Sequence, residues 1–266
     1  MPKTTPTRDV ATSQSLERGL AILSSFRSGR PLLGVSELSR EVGLSRSTTH
    51  RYVATLAGLG YLRQDGPTRK YRLGPRVLDL GFSAINSMEL REVAAPYLQQ
   101  LSDETGYTVN MAILDATDIV YVERCRSARA GQREIDLNLH VGSRLPAYCT
   151  SLGKVLLAHL PAAEQAEALA RIELVRRGPN TLVSRTALAA ELKRVRRDGF
   201  AINNEELAYG LRSIAAPIFG HDGAAVAGVN LAVHRTMVSV EELVARLSAR
   251  LRRTADEISA QLGYRP

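Results

Sequence analysis

The sequence predicts an α+β protein in which a small winged helix-turn-helix domain precedes a larger domain of mixed helices and strands, and three observations carry that prediction. Residues 34–60 read as two short helices joined at a glycine, and residues 61–73 as a tight β-hairpin directly after them. Positive charge is concentrated in the same stretch. Residues 1–88 hold 13 Lys or Arg against 6 Asp or Glu, whereas the remaining 178 hold 22 against 21. From residue 90 onward, segments of strand character and helix character alternate, as in an antiparallel sheet with helices on its faces. At 266 residues the chain is long enough for each of two domains to bury its own core.

Within the first stretch, Val35, Leu38 and Val42 recur at helical spacing while Glu37, Arg40 and Glu41 fall on the opposite side. Gly43 stands where the chain must turn sharply, since a residue without Cβ takes positive φ at little cost. Ser45 suits the N-cap of the second helix, because its hydroxyl accepts from backbone N–H groups two or three residues later. Tyr52, Val53, Leu56 and Leu59 then form the expected buried stripe, which leaves Arg46, Ser47, His50 and Arg51 outward near the helix start, where a major groove would meet them. Ser39 fits the small position that packs under the second helix; Thr49 sits where an aliphatic residue would be more comfortable. A helical hairpin in some other α domain has the same local pattern, so the hairpin that follows matters.

Asp65-Gly66-Pro67 is a strong turn signal between two strand-like runs. Leu62, Tyr71 and Leu73 are expected to face the helices, with Arg63, Arg69, Lys70 and Arg72 exposed. These cations suit phosphates beside a groove. Basic residues on edge strands also guard against aggregation, which accounts for some of these charges but not for their place beside a helix-turn-helix.

Residues 1–13, rich in Thr, Pro and Ser, read as a disordered tail, and residues 14–74 as the DNA-binding domain. A helix over 15–26 is expected to pack Leu16, Leu20, Leu23 and Phe26 against that domain. Residues 75–89 form a linker helix beginning at Pro75, with Val77, Leu78, Gly81, Phe82 and Ile85 as its apolar stripe. The stripe packs on either domain or forms a seam between two copies of the chain. A dimer would set two recognition helices on two half-sites. In residues 90–266, helices are expected over 90–105, 150–159, 162–171, 185–197 and 240–262, and strands over 107–114, 118–124, 133–140, 200–204, 213–219 and 225–234.

Several function classes lack their signatures. Gly153-Lys154 resembles the end of a phosphate-binding loop, but Tyr148 occupies the place of its first glycine and Val155 that of its hydroxyl residue. There is no Gly-x-Ser-x-Gly elbow. His140, His159, His221 and His234 are not spaced as a metal pair, and Cys125 and Cys149 read as buried thiols rather than zinc ligands. Glu205 and Glu206, read as neighbours on a strand, point to opposite faces and do not share a proton. The expectation is a protein with no catalytic residues, no metal and no cofactor. With no apolar run of membrane-spanning length and no signal peptide, it is expected in the cytoplasm, away from membranes.

Four stretches together resemble the IclR family of bacterial transcription regulators: SLERGLAIL at 15–23, the helix-turn-helix through Leu59-Gly60-Tyr61-Leu62, LPAYCTSLGKVLLA at 145–158, and NNEELAYGLRSIAAP at 203–217. The resemblance runs from about residue 14 to the end. It implies a winged helix-turn-helix, a linker helix and a GAF-like effector-binding domain, working as a homodimer or homotetramer on a double-stranded DNA operator. GSRLPAYCTS at 142–151 is similar in particular to the branch controlling protocatechuate, 4-hydroxybenzoate and β-ketoadipate catabolism.

The resemblance further implies that a small carboxylic acid, aromatic or from ring cleavage, binds at the start of the helix at Thr150, Ser151 and Leu152. Asn203, Leu211, Ser213, Asn230 and Ala232 would surround it, with apolar help from Leu137 and Leu145. A helix N-terminus favours an anion there. Ser151 is equally a plain N-cap, and Arg144 either a bidentate partner for the carboxylate or a solvated loop charge. The chain departs from members that bind very small keto acids: Asn203 replaces an acidic residue, Ser213 a cysteine, and Asn230 and Ala232 serines. A different ligand follows, either of the aromatic branch or of another small organic acid pathway.

Overall fold

The computed structural model describes residues 12–27, 29–86, 88–126 and 139–265, with the backbone alone for Phe82, Ile85 and Asn86. The chain divides into two compact units, Met1–Ser87 and Met88–Pro266, and the expected α+β class is borne out.

The first unit contains α1 (Gln14–Ser24), α2 (Val35–Glu41), α3 (Arg46–Gly58), the hairpin β1 (Leu62–Gln64) and β2 (Tyr71–Leu73), and α4 (Arg76–Asn86). Its core is Ile22, Leu33, Leu38, Val53, Leu62 and Tyr71. Leu33 enters it because the segment before α2 bridges to the wing, Leu33 N–H donating to Tyr71 O at 3.0 Å and Tyr71 N–H to Leu33 O at 2.8 Å. Four apolar residues expected inside are open instead: Leu16 is 63% exposed, Leu20 54%, Leu59 48% and Leu73 39%. In α1 the inward residue is Ile22, with Leu23 and Phe26 half-buried beside it, so the apolar face is rotated from the expected stripe. In α3 it is Thr49 that is buried. Its hydroxyl donates to Ser45 O at 3.0 Å, a helix back-bond that lets a polar residue fill an aliphatic position.

The second unit begins with α5 (Glu89–Thr105), followed by β3 (Thr108–Asp115), β4 (Asp118–Cys125), β5 (Arg144–Pro146), a single 3-10 turn (Ala147–Cys149), α6 (Ser151–His159), α7 (Ala162–Arg171), α8 (Arg185–Asp198), β6 (Ala201–Asn204), β7 (Leu211–Phe219), β8 (Ala225–His234) and α9 (Val240–Gln261). Among the described residues the six strands of this unit form one antiparallel sheet in the order β5-β4-β3-β8-β7-β6. Side-chain alternation gives the sheet two different faces. Val109, Met111, Ile214, Val229 and Leu231 pack with Leu98, Leu101, Leu251 and Ile258 of α5 and α9. Ala112, Ala201 and Ala215 pack on the other face with Leu152 and Val155 of α6 and Leu188 and Leu192 of α8.

Three expectations need amendment here. The strand expected over 133–140 falls outside the described residues except for Leu139 and His140, which are in no strand. The short edge strand β5 was not expected. Glu205 and Glu206 lie in the bend after β6 rather than on a strand, and each has its own partner, Glu205 accepting from Gly210 N–H at 2.9 Å and Glu206 from Lys154 Nζ at 2.5 Å.

Candidate DNA interface and effector site

The start of α3 is built locally. Gly43 has φ +66, which reverses the chain after α2, and Ser39 Oγ closes the turn by donating to Leu44 O at 2.6 Å. Ser45 caps the helix, its hydroxyl accepting from Thr48 N–H at 3.2 Å. Ser45, Arg46, Ser47, His50 and Arg51 are all exposed along its first turns. No side-chain hydrogen bond or ion pair holds Arg46, His50 or Arg51 among the described residues. The Ser45 and Ser47 hydroxyls, 3.1 Å apart, are bonded to each other, which leaves the two arginines and His50 as the open side chains of this surface.

The wing adds to it unequally. Its turn is fixed by Asp65, whose carboxylate accepts from Thr68 N–H at 3.1 Å and Thr68 Oγ1 at 2.5 Å. Those two bonds hold that carboxyl below its ordinary value. Arg69 sits at the turn with φ 57, its side chain exposed. Arg63 and Arg72 are direct cross-strand partners, a like-charge pair that costs the hairpin stability unless a polyanion lies against it. Lys70 differs: its ammonium is 3.1 Å from Glu37 Oε2, so it braces the wing against α2.

In the second unit most of the effector-site candidates gather on the α6 face of the sheet. Thr150 caps α6, accepting from Gly153 N–H at 3.0 Å. A Cβ on Gly153 would stand 2.2 Å from both Cα and O of Ala147, so only glycine lets the 3-10 turn press against the helix start. Ser151 and Leu152 are thereby fully buried. Ser151 Oγ and Ser213 Oγ are 2.7 Å apart.

Two rows of side chains cross this face. Asn203, Ser213, Ala232 and Thr108 are register partners along one, and Ala201, Ala215, Asn230, Asn110 and Arg124 along the next. Asn110 Nδ2 donates to Asn230 Oδ1 at 2.8 Å, and Arg124 Nη1 to Asn110 Oδ1 at 2.9 Å. Asn203 is an internal tie, donating to Cys149 O at 3.2 Å and accepting from Glu206 N–H at 2.9 Å.

The remaining candidates are placed as follows. Leu211 is buried, and Leu145 and Ala232 are half-buried. Arg144 is exposed on edge strand β5, 2.7 Å from Asp115 and 3.6 Å from Asp118. Leu137 lies outside the described residues. Burial pushes the Cys149 thiol up to about 11 and that of Cys125, with help from Glu123, also to about 11. Both are inert, protonated side chains at neutral pH. Among the described residues no cluster of His, Cys, Asp or Glu is arranged to hold a metal, and no helix is long and apolar enough to cross a membrane.

This arrangement of a helix-turn-helix unit and a sheet unit with a polar buried face matches known proteins over nearly its whole length. Residues 15–66 match the IclR helix-turn-helix domain and residues 82–260 the bacterial transcriptional regulator IclR C-terminal domain. The chain belongs to the IclR family. Among its relatives, the Pca regulon regulatory protein of Pseudomonas putida is 37% identical over 248 residues, 93% of this chain and 84% of that protein. Among solved structures, a Rhodococcus sp. RHA1 protein described as a transcriptional regulator is 39% identical with TM-score 0.80, covering 94% of this chain and 98% of its own. An IclR homolog of Microbacterium hydrocarbonoxydans, solved in complex with 4-hydroxybenzoate, is 27% identical with TM-score 0.79, covering 94% and 99%. As a member of the IclR family the protein is a DNA-binding regulator of transcription and not an enzyme.

Sequence reasoning did not single out Thr108, Asn110 or Arg124, which share the polar rows with Ser213 and Asn230. Their signal was faint: a polar Asn110 between Val109 and Met111, both apolar, reads as ordinary alternation until its partner 120 residues away is known.

Proposed function

We propose that this IclR-family regulator is controlled by a small carboxylic acid, aromatic or from the ring-cleavage pathway, taken up between the start of α6 and the polar rows of the sheet. The single observation that carries this reading is the set of buried polar groups gathered there: Ser151 at the start of α6 and Ser213, Asn110 and Asn230 on the facing sheet, each at most 5% exposed, beside apolar side chains such as Ala112, Ala215 and Leu152. Buried polar groups cost stability unless a partner or a ligand satisfies them. The similarity to a Pca regulon regulator and to a homolog holding 4-hydroxybenzoate supports the choice of acid.

In this reading α3 reads an operator through Arg46, Ser47, His50 and Arg51, Ser45 caps it, and Arg63 and Arg69 of the wing hold phosphates. Lys70 takes the lesser part, since Glu37 already neutralises it. The working form is a homodimer or homotetramer. Of the expected stripe α4 leaves Leu78 60% exposed, an apolar side chain of the kind a second copy covers. Of the expected seam, the side chains of Phe82 and Ile85 are outside the described residues.

Calorimetric titration of protocatechuate, 4-hydroxybenzoate and β-ketoadipate into the purified protein tests the effector class. At least one is expected to bind, and Ser151→Leu and Ser213→Leu to abolish that binding. If none binds, the effector class is wrong. If binding survives both substitutions, the location is wrong.

A further inference from the structure

The end of α3 and the start of α4 form one joint. α3 closes at Gly58, and the chain turns through Leu59 and Gly60, with Tyr61 N–H donating back to Leu56 O at 2.9 Å. Carbonyls at a helix end have no partner within the helix and must find one outside it. That of Leu59 is taken by Arg76 in the first turn of α4, whose Nη1 donates to it at 3.0 Å. The arginine reaches it by laying its stem along Gly60, where a Cβ would stand 3.5 Å from Cδ of Arg76. Beside it the two backbones touch. Gly74 N–H donates to Tyr61 O at 2.7 Å, and a Cβ on Gly74 would fall 2.2 Å from Gly60 O.

Beyond Val77 every described side chain of α4 is exposed, Leu78 60% and Leu80 58% among them. Among the described side chains, packing within the unit therefore does not set the direction of α4; the joint at its first turn does. The lever is long. Its 11 residues rise about 16 Å, so a pivot of about 20° at the joint displaces the far end by roughly 5 Å. One base pair rises about 3.4 Å. A slack joint would blur the distance between two reading helices by more than one base pair.

We propose that Arg76 is a positioning residue for DNA recognition: by locking α4 to the end of α3 it fixes the distance and phase at which two copies of the chain address two half-sites. This rests on the reading of the working form as a homo-oligomer with α4 between copies. Arg76 acts on a carbonyl of its own chain rather than on a phosphate, which sets it apart from Arg63 and Arg69 of the wing. A planar guanidinium suits the task, since it holds a direction that a lysine ammonium, a point charge on a flexible stem, does not.

The experiment uses the full chain and a duplex that it selects from a random pool. The two half-sites are then moved apart or together by one and two base pairs, and a further duplex keeps one half-site alone. Each added base pair turns one half-site by about 35° against the other. Wild type is expected to lose about tenfold or more in affinity on a change of one base pair. Arg76 is exposed, so its removal spares the core. Arg76→Ala should bind the single half-site within about twofold of wild type, as exposed substitutions do, while its spacing penalty shrinks to a minor fraction of the wild-type one. Arg76→Lys should restore part of the penalty. A spacing penalty unchanged in Arg76→Ala overturns the assignment. So does a uniform loss on every duplex, the single half-site included, with the salt slope lowered by about one, since the arginine then contacts phosphate. Wild type that selects a lone half-site, or is indifferent to spacing, overturns it by a distinguishable route, since the oligomer reading itself then fails.

Discussion

Lys154 Nζ lies 2.5 Å from Glu206 Oε1 in the interior of the second unit, which joins the middle of α6 to the bend that follows β6. A second carboxylate, Glu191 of α8, stands 3.1 Å from the same ammonium. The side chains of Lys154 and Glu206 are 1% and 8% exposed, so neither charge has water to fall back on. Removing one partner leaves the other uncompensated, and that loss exceeds what the pair itself contributes. Lys154→Met is therefore expected to lower unfolding stability by about 3–5 kcal/mol. The double variant Lys154→Met/Glu206→Gln should recover most of it. Urea unfolding of the three proteins checks this; a double variant no more stable than the single one would show that the ammonium acts by packing.

The same cluster sets a pH dependence on the acid side. Burial alone would raise the Glu191 carboxyl, but Arg194 and Lys154 outweigh it and hold Glu191 at about 2, below the ordinary 4.5. The folded form then binds fewer protons than the unfolded form between those values. The stability Glu191 contributes is complete above about pH 4.5 and is lost as pH falls toward 2. Glu206 works the other way: burial raises it against the pull of Lys154, so its ionisation costs stability as pH rises from 4.5. Glu191→Gln is expected to flatten the fall of the melting temperature between pH 4.5 and 2. A slope as steep as that of wild type would mean that other groups carry the acid transition.

At the start of α6, Gly153→Ala puts a methyl group 2.2 Å from the Ala147 backbone. No side-chain rotation relieves such a contact, so helix and turn must part. The expected cost is roughly 3 kcal/mol or more, at the upper end for overpacked cores, together with loss of effector binding. Thermal unfolding at the wild-type midpoint would show that the turn has room to yield.

For the DNA face, Arg46→Ala or Arg51→Ala should weaken operator binding by about 1–3 kcal/mol if the arginine makes a bidentate base contact. Arg63→Ala or Arg69→Ala should weaken all sequences alike and lower the salt slope by about one. Lys70→Ala should do less, because Glu37 already neutralises it. Binding measured by fluorescence anisotropy across a salt series separates the two effects. Wild-type affinity in all four arginine variants would place the reader elsewhere.

Local signals carried the sequence reading far. The Gly43 turn, the Ser45 cap and the Asp65-Gly66-Pro67 hairpin tip each depend on a few neighbouring residues, so they are legible without tertiary contacts. The boundaries of α7 and β8 agree with the structure to the residue. The charge imbalance of the first 88 residues located the polyanion-binding unit because charge needs no fold to be counted. What required the tertiary structure was every relation across a long span and every choice of face. Leu16 and Leu20 keep helical spacing with Leu23, yet the rotation of α1 in its unit exposes them and buries Ile22. Ser151 and Ser213 meet 62 positions apart, through the pairing of α6 with β7. The direction of Arg124 was invisible because one slipped residue in β4 inverts the alternation beyond it, and a bulge is set by how two strands pair rather than by either strand alone.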